Sequence, residues 1–216
     1  MRFIQKNDEP RSLREYRAMP RAVYDGPNFT PVKSDIRQQL LREQGYLCCY
    51  CMKRIEDNEL KTKIEHWHCQ DTYPNEQLAY QNLLAACDGN SGSPPKEQHC
   101  DTKKTNHDVS YNPSNANHKN RLQIQYSSSG EVISVDPVFN QDIENILNLN
   151  FSRLRDNRKI ILDTVAKVLN EKAGTRTRHE IQRLIVKWSS PDHEGKLPEY
   201  CDVALYYLNR KLLKTP

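Results

Sequence analysis

The sequence predicts an α+β fold, and three observations carry that expectation. Two short apolar segments, residues 61–69 and 83–87, precede a helix-forming segment that begins at Cys100, so a ββα unit is expected beside a C-x2-C turn at Cys48 and Cys51. Residues 121–126 and 131–135 alternate apolar and polar side chains around a Ser/Gly turn, the pattern of a small hairpin. From about Gln141 onward the apolar residues recur three to four or seven positions apart, which predicts a mainly α-helical C-terminal module. The expected division is 1–137 for the first unit with its N-terminal arm and 138–216 for the helical module.

Composition narrows the classes. The chain has 216 residues, enough to bury a core, with 28% charged and 36% hydrophobic residues. No apolar run approaches the ~20 residues that span a bilayer, and MRFIQKNDEP lacks the apolar core of a signal peptide, so no membrane role and a cytoplasmic location are expected. Seven cysteines, an odd number gathered around a His/Glu segment, suit metal binding in a reducing compartment better than a disulfide framework. A net charge of +4 permits nucleic-acid binding without demanding it.

Taken in order, Pro10 to Met19 is a helical candidate on which Arg11, Arg14, Arg17 and Arg21 share one face, either a solvated face or a phosphate-contacting stripe. A turn-rich arm follows. Asp35 to Gln44 reads as a helix with Ser34 as N-cap and Gly45 as its stop. The segment DGNSGSPPKEQH between the second strand and Cys100 is an exposed loop. Gln141 to Ala173 reads as one long amphipathic helix closed by Gly174; Thr177 and Glu180 form a capping box for a second, and Pro198 opens a third. Leu147, Leu154, Ile161 and Val168, with Trp188 and Leu208, offer more apolar face than three helices are expected to bury, which points to partner docking.

The ordered set Cys48-x2-Cys51, Glu65-His66, Asn82-Leu83 and Cys100-Asp101-x2-Lys104 resembles the HNH endonuclease family, with a nearer likeness to the HNH subunits of Septu-type and retron-associated antiphage defence systems. The motif spans roughly a quarter of the chain. The resemblance implies a ββα-metal core with a structural zinc on Cys48, Cys51, Cys87 and Cys100, although the long insertion before Cys100 departs from the family pattern. It implies His66 as general base, Asn82 as a brace for the loop, Lys104 as a phosphate holder, and Glu65 and Asp101 as ligands of a catalytic Mg²⁺ or Mn²⁺. It also implies a nucleic-acid substrate, DNA or RNA, an ABC/SMC-like ATPase partner, and a retron reverse transcriptase with its RNA–DNA product as a further partner.

The chemistry suits those residue types. A neutral imidazole accepts a proton from water, and carboxylate oxygens prefer a hard divalent ion. Adjacent strand residues point to opposite faces, so the backbone is expected to turn or bulge at Glu65–His66. His68 either joins the metal or substrate site or packs beside Trp67, and Asn106 and His107 either complete a metal shell or cap the helix. Cys49, Cys69 and Cys201 read as packed thiols. The alternative function is a zinc-stabilised nucleic-acid-binding or assembly module without cleavage.

Overall fold

The computed structural model describes residues 1–119, 123–171 and 176–215. An arm carrying α1 (Arg11–Arg17) leads to α2 (Phe29–Glu43), then to β1 (Thr62–His66), β2 (Leu83–Cys87) and α3 (Cys100–Lys104). A hairpin, β3 (Ile124–Tyr126) with β4 (Val132–Ser134), precedes α4 (Pro137–Gln141), α5 (Ser152–Asn170), α6 (Arg178–Ser189) and α7 (Cys201–Lys214). The mixture of helices and two small antiparallel sheets is the α+β class the sequence predicts.

Several boundaries differ from expectation, each for a physical reason. α2 begins at Phe29, six residues before Asp35, and Ser34 lies inside it. Pro31 is tolerated there because it falls in the first helical turn, where backbone N–H groups have no partner in the helix. The arginine stripe is not continuous: Arg17 forks onto Glu9 at 2.6 and 2.7 Å, Arg11 pairs with Glu15, and Arg21 lies beyond α1 with φ 60°. α7 starts at Cys201 after an αL Tyr200, three residues later than Pro198.

The expected single helix from Gln141 is broken. α4 passes into a π turn at Asp142–Ile146 and stops. Asn148 takes φ 47°, and α5 restarts at Ser152. The break has a use. The freed carbonyl of Leu147 accepts from the N–H of Cys100 at 2.9 Å, and the Asn148 amide donates to the carbonyls of Lys96 and Gln98. The expected helix end at Ala173 and Gly174 and the first hairpin residues 121 and 122 lie outside the described residues. The Thr177–Glu180 capping box is present.

β1 and β2 form a five-pair ladder from Thr62↔Cys87 to His66↔Leu83. Two short strands are marginal alone, and here the outer edge of β2 is covered. Gln44 donates to the carbonyl of Ala85 and accepts from its N–H, both at 2.8 Å, and the N–H of Cys49 also reaches that carbonyl. The C-terminal segment fastens onto the same region: Leu197 N–H donates to Gly45, Tyr200 N–H donates to Met52, and Arg54 binds Leu197 and Glu199. Phe139, Ile143, Leu147 and Leu154 share one core with Leu83, Cys87 and Cys100.

The apolar surplus expected on the C-terminal helices is differently placed. Leu147, Leu154 and Leu208 are buried, and Ile161, Val168 and Trp188 are half-buried. Val165, Leu169, Ile181, Ala204 and Leu208 form a second small core among α5, α6 and α7. Among the described residues the large apolar side chains left exposed on α5, α6 and α7 are Ile160, Val186 and Leu213, and Val138 is exposed on α4. No helix among the described residues is long and apolar enough to cross a membrane.

Gly130 joins the hairpin to α5. Its φ is +84°, a Cβ there would sit 2.2 Å from the Arg155 carbonyl, and its own carbonyl accepts from buried Arg158 at 2.6 Å. Gly130→Ala is expected to lower stability by about 3 kcal/mol, from left-handed strain plus overpacking. Urea unfolding of the variant against wild type checks this, with the midpoint falling at unchanged slope.

Candidate active site

The C-x2-C turn is closed by Cys48 N–H to the Lys53 carbonyl and Met52 N–H to the Cys48 carbonyl, which turns both thiols inward. Cys87 ends β2, and Cys100 opens α3 with φ 53°. The insertion between them folds back on itself: His99 N–H donates to the Gly89 carbonyl, and Thr102 Oγ1 donates to that of Asp88. A Cβ on Gly89 would lie 2.2 Å from the His99 carbonyl, so glycine permits this closure. The sequence gap between Cys87 and Cys100 therefore costs nothing in geometry.

The four sulfurs lie within 4.8 Å of one another and all four residues are buried. Cys48 to Cys100 is 3.9 Å and Cys51 to Cys87 is 3.8 Å. A tetrahedral ion with Zn–S of about 2.3 Å has an edge of about 3.8 Å, so the set fits a metal ion such as zinc. Burial acts to raise the Cys48 thiol, but hydrogen bonds led by that from Cys100 outweigh it and hold the thiol well below its ordinary value. His99, which sequence reasoning passed over, places Nδ1 3.2 Å from Cys100 Sγ. With a metal on the cysteines, an Nδ1–H directed at that sulfur would support the site from outside the ligand set.

Between Cys49 and Cys51 stands Tyr50, whose fully buried hydroxyl donates to Glu65 Oε1 at 2.7 Å. Glu65 is 2% exposed, and Lys104, 0% exposed, reaches the same oxygen at 2.9 Å and the carbonyl of His66 at 3.0 Å. Lys104 was expected to hold a phosphate. Its ammonium instead lies inside the protein, joining α3 to β1. Asp101 pairs with Lys63 at 3.1 Å and lies near enough to Glu65 for the two carboxyls to act on each other. Burial first, then Asp101, drives the Glu65 carboxyl well above its ordinary range. Burial also acts to raise Asp101, but the Glu65 hydrogen bond and Lys63 bring it below its ordinary value. The two carboxyls are thus pushed in opposite directions.

The ladder runs regularly through both Glu65 and His66, without the expected bulge; the turn comes afterwards, where Trp67 N–H donates to the Asn82 carbonyl. Alternation sends the two side chains to opposite faces, and both are buried because both faces are covered. The carbonyl of Gln77 lies 3.0 Å from His66 Nε2 and can only accept, so Nε2 carries the hydrogen and Nδ1 is the acceptor, which takes a hydrogen bond from the Gln70 amide at 3.3 Å. Burial lowers the His66 pKa, partly offset by that carbonyl, and the ring is neutral near pH 7. Among the described residues no hydrogen bond joins the His66 ring to Glu65 or Asp101.

Asn82 is buried and pins the chain at His68 from both sides, accepting from its N–H at 2.8 Å and donating to its carbonyl at 2.9 Å. The His68 ring is stacked between Trp67 and Tyr73 and bonded to Glu76 at 2.8 Å, which fits packing. His107 Nδ1 meets the Lys104 carbonyl at the end of α3, and Asn106 donates to Asp71, so neither approaches the carboxyl pair. Cys49, Cys69 and Cys201 are buried outside the sulfur cluster. Tyr50 and His99 each neighbour a cysteine, and that adjacency was the one signal available for them.

Fold and site together define an α+β protein with a cysteine cluster able to hold a metal ion. No protein-family model matches the chain. Two curated proteins are similar to it. Septu protein PtuB of Bacillus thuringiensis is 27% identical over 107 residues, covering 50% of this chain and 35% of that protein. A Vibrio cholerae serotype O1 biovar El Tor protein named "Retron Vc95 putative HNH endonuclease" is 23% identical over 199 residues, covering 85% of this chain and 92% of that protein. The chain thus spans about a third of the first relative's length and nearly all of the second's. These relatives bear out the resemblance to HNH nucleases of Septu and retron type.

Two outcomes are expected at this site. Purified wild type contains one zinc per chain by elemental analysis, and Cys51→Ala loses it together with ~10 kcal/mol of apparent metal-binding free energy, seen as a collapse of thermal stability. Tyr50→Phe retains the zinc and lowers stability by about 1 to 3 kcal/mol through the buried carboxyl left short of a donor, measured by elemental analysis and urea unfolding together.

Proposed function

We propose that the chain is a metal-dependent HNH endonuclease that hydrolyses phosphodiester bonds in nucleic acid. The observation that carries the proposal is the nearness of Glu65 on β1 to Asp101 on α3, with His66 next in the strand holding its hydrogen on Nε2 and accepting at Nδ1. The names of the two relatives support it.

Two neighbouring carboxyls form a hard oxygen donor set, and their chemistry fits a divalent ion. Glu65 and Asp101 would hold Mg²⁺ or Mn²⁺, which when bound supplies positive charge to the scissile phosphate and departing 3′ oxygen. His66 Nδ1 takes the proton of the attacking water; the Gln70 amide, its weakest contact, is the group that water replaces. Asn82 keeps the turn after His66 in place. Lys104 acts from within, fixing Glu65 and the His66 carbonyl together.

Around this chemistry we place a cytoplasmic effector of antiphage defence, working with an ABC/SMC-like ATPase and, in a retron setting, with a reverse transcriptase and its RNA–DNA product. In this proposal residues 1–137 carry the nuclease and 138–216 the docking helices. Because the helices share the nuclease core, docking is better probed by Ile160→Asp with Val186→Asp than by truncation. Loss of co-elution with the ATPase, at unchanged zinc content, is the expected result.

One observation favours a second function, an inactive zinc-stabilised nucleic-acid-binding or assembly module: Glu65 is 2% exposed and already engaged by Lys104 and Tyr50. Cleavage decides between them. Wild type with Mg²⁺ or Mn²⁺, alone and with its genomic neighbours, is expected to generate new ends in DNA or RNA. His66→Ala is expected to reduce that rate ~10²-fold to 10⁴-fold with folding and zinc intact. No cleavage by wild type under any of these conditions would leave the inactive module.

A further inference from the structure

The N-terminal arm reaches the face of β1 on which His66 lies. Tyr24 sits in a run of left-handed turns, with φ 60° at Arg21, 57° at Asp25 and 61° at Asn28, which brings its half-buried ring out of the arm. The ring meets the His66 imidazole edge-on, with centroids 4.5 Å apart at 83°, and rests on the buried ring of Phe29 at 4.7 Å. It is not free to drift.

One residue ties this ring to the imidazole. The Gln77 side-chain amide donates to the Pro74 carbonyl at 2.8 Å, which turns its Oε1 toward the arm, where it accepts from Tyr24 N–H at 2.9 Å. The Gln77 main-chain carbonyl is the partner of His66 Nε2 at 3.0 Å. Arg17 of α1 adds a second tie to the neighbouring carbonyl of Leu78. The arm, the segment 74–78 and the imidazole are therefore a closed set of contacts.

We propose that Tyr24 and Gln77 are positioning residues for His66, holding its ring in the Nε2–H tautomer with Nδ1 presented as the proton acceptor. The assignment rests on the nuclease function proposed above for its catalytic meaning, but the geometry it asserts is separate. Without the Tyr24 ring, the imidazole can turn about its χ angles and lose the Gln77 carbonyl, and either nitrogen can then carry the hydrogen.

The test is long-range ¹⁵N spectroscopy of the full-length, zinc-loaded protein, with His66 signals assigned by their absence in His66→Gln. Wild type is expected to show a protonated Nε2 and an unprotonated Nδ1. Tyr24→Ala and Gln77→Leu are expected to move both signals toward a mixture of tautomers, and Tyr24→Phe to restore the wild-type pattern. On a nucleic-acid substrate kcat should fall ~10-fold to 100-fold in Tyr24→Ala with KM within about twofold, and recover in Tyr24→Phe. Zinc content and thermal unfolding establish that each variant is folded. An Nδ1–H tautomer in wild type, or unchanged His66 signals in folded Tyr24→Ala and Gln77→Leu, would overturn the proposal. A wild type that cleaves nothing defeats the nuclease function alone, since the spectra still decide the positioning.

Discussion

Four sulfurs meet where several short parts of the chain come together. The first sheet is two strands of five residues and α3 is little more than one turn, elements that do not stand alone in water. Cys48 and Cys51 come from the turn, Cys87 from the end of β2 and Cys100 from the start of α3. Bringing these thiols within 4.8 Å of one another fixes where every one of those elements ends. The rest of the chain supports that closure: the break after α4 supplies a carbonyl to Cys100, Gly89 lets the insertion fold back, and Tyr200 and Leu197 fasten the C-terminal segment beside the turn.

The same turn reaches Glu65 through one residue. Tyr50 lies between two cysteines and donates to Glu65, so the cluster and the carboxyl are joined by a single buried hydrogen bond. Lys104 approaches from α3 to the same oxygen. A buried carboxyl near Asp101 would otherwise be an unpaired polar group in a dry place, which is costly; with two donors it is kept in one orientation. A buried ammonium is likewise costly unless paired, and Glu65 with the His66 carbonyl satisfies it. The lysine of the motif thus lies inside the protein, bridging the Glu65 carboxyl and the His66 carbonyl.

Local signals were legible in the sequence, and contacts between distant segments were not. β2 falls on Leu83–Cys87 as expected because five apolar residues stand between Asn82 and an Asp-Gly turn. The capping box at Thr177 was equally plain. Helical periodicity matches α4 and α5, but spacing counts apolar residues and cannot register that Asn148 turns left-handed so that Leu147 can serve Cys100. Pro31 reads as a helix breaker only if its place in the first turn is unknown. The motif named Glu65, His66, Asp101 and Lys104, yet nothing in a motif carries burial. The enclosure of Lys104 and the roles of Tyr24, Tyr50 and Gln77 depend on segments 15 to 53 residues away in sequence for which spacing is silent.

The regular ladder at Glu65 and His66 sets a constraint that any chemistry here must meet. Neighbours on an unbulged strand face opposite ways, so the carboxyl belongs with α3 and the cysteine turn, and the imidazole with the arm and segment 74–78. Each face is built by different parts of the chain, and each would move independently if the strand alone connected them. Lys104 removes that freedom, because its ammonium grips the Glu65 carboxyl and the His66 carbonyl at once, one on either side of the peptide bond. Asn82 secures the other end by holding both backbone groups of His68. Between these two grips lie only His66 and Trp67, so the imidazole has no slack in its main chain. Its remaining freedom is rotation of the side chain, which is what the Gln77 carbonyl and the Tyr24 ring oppose.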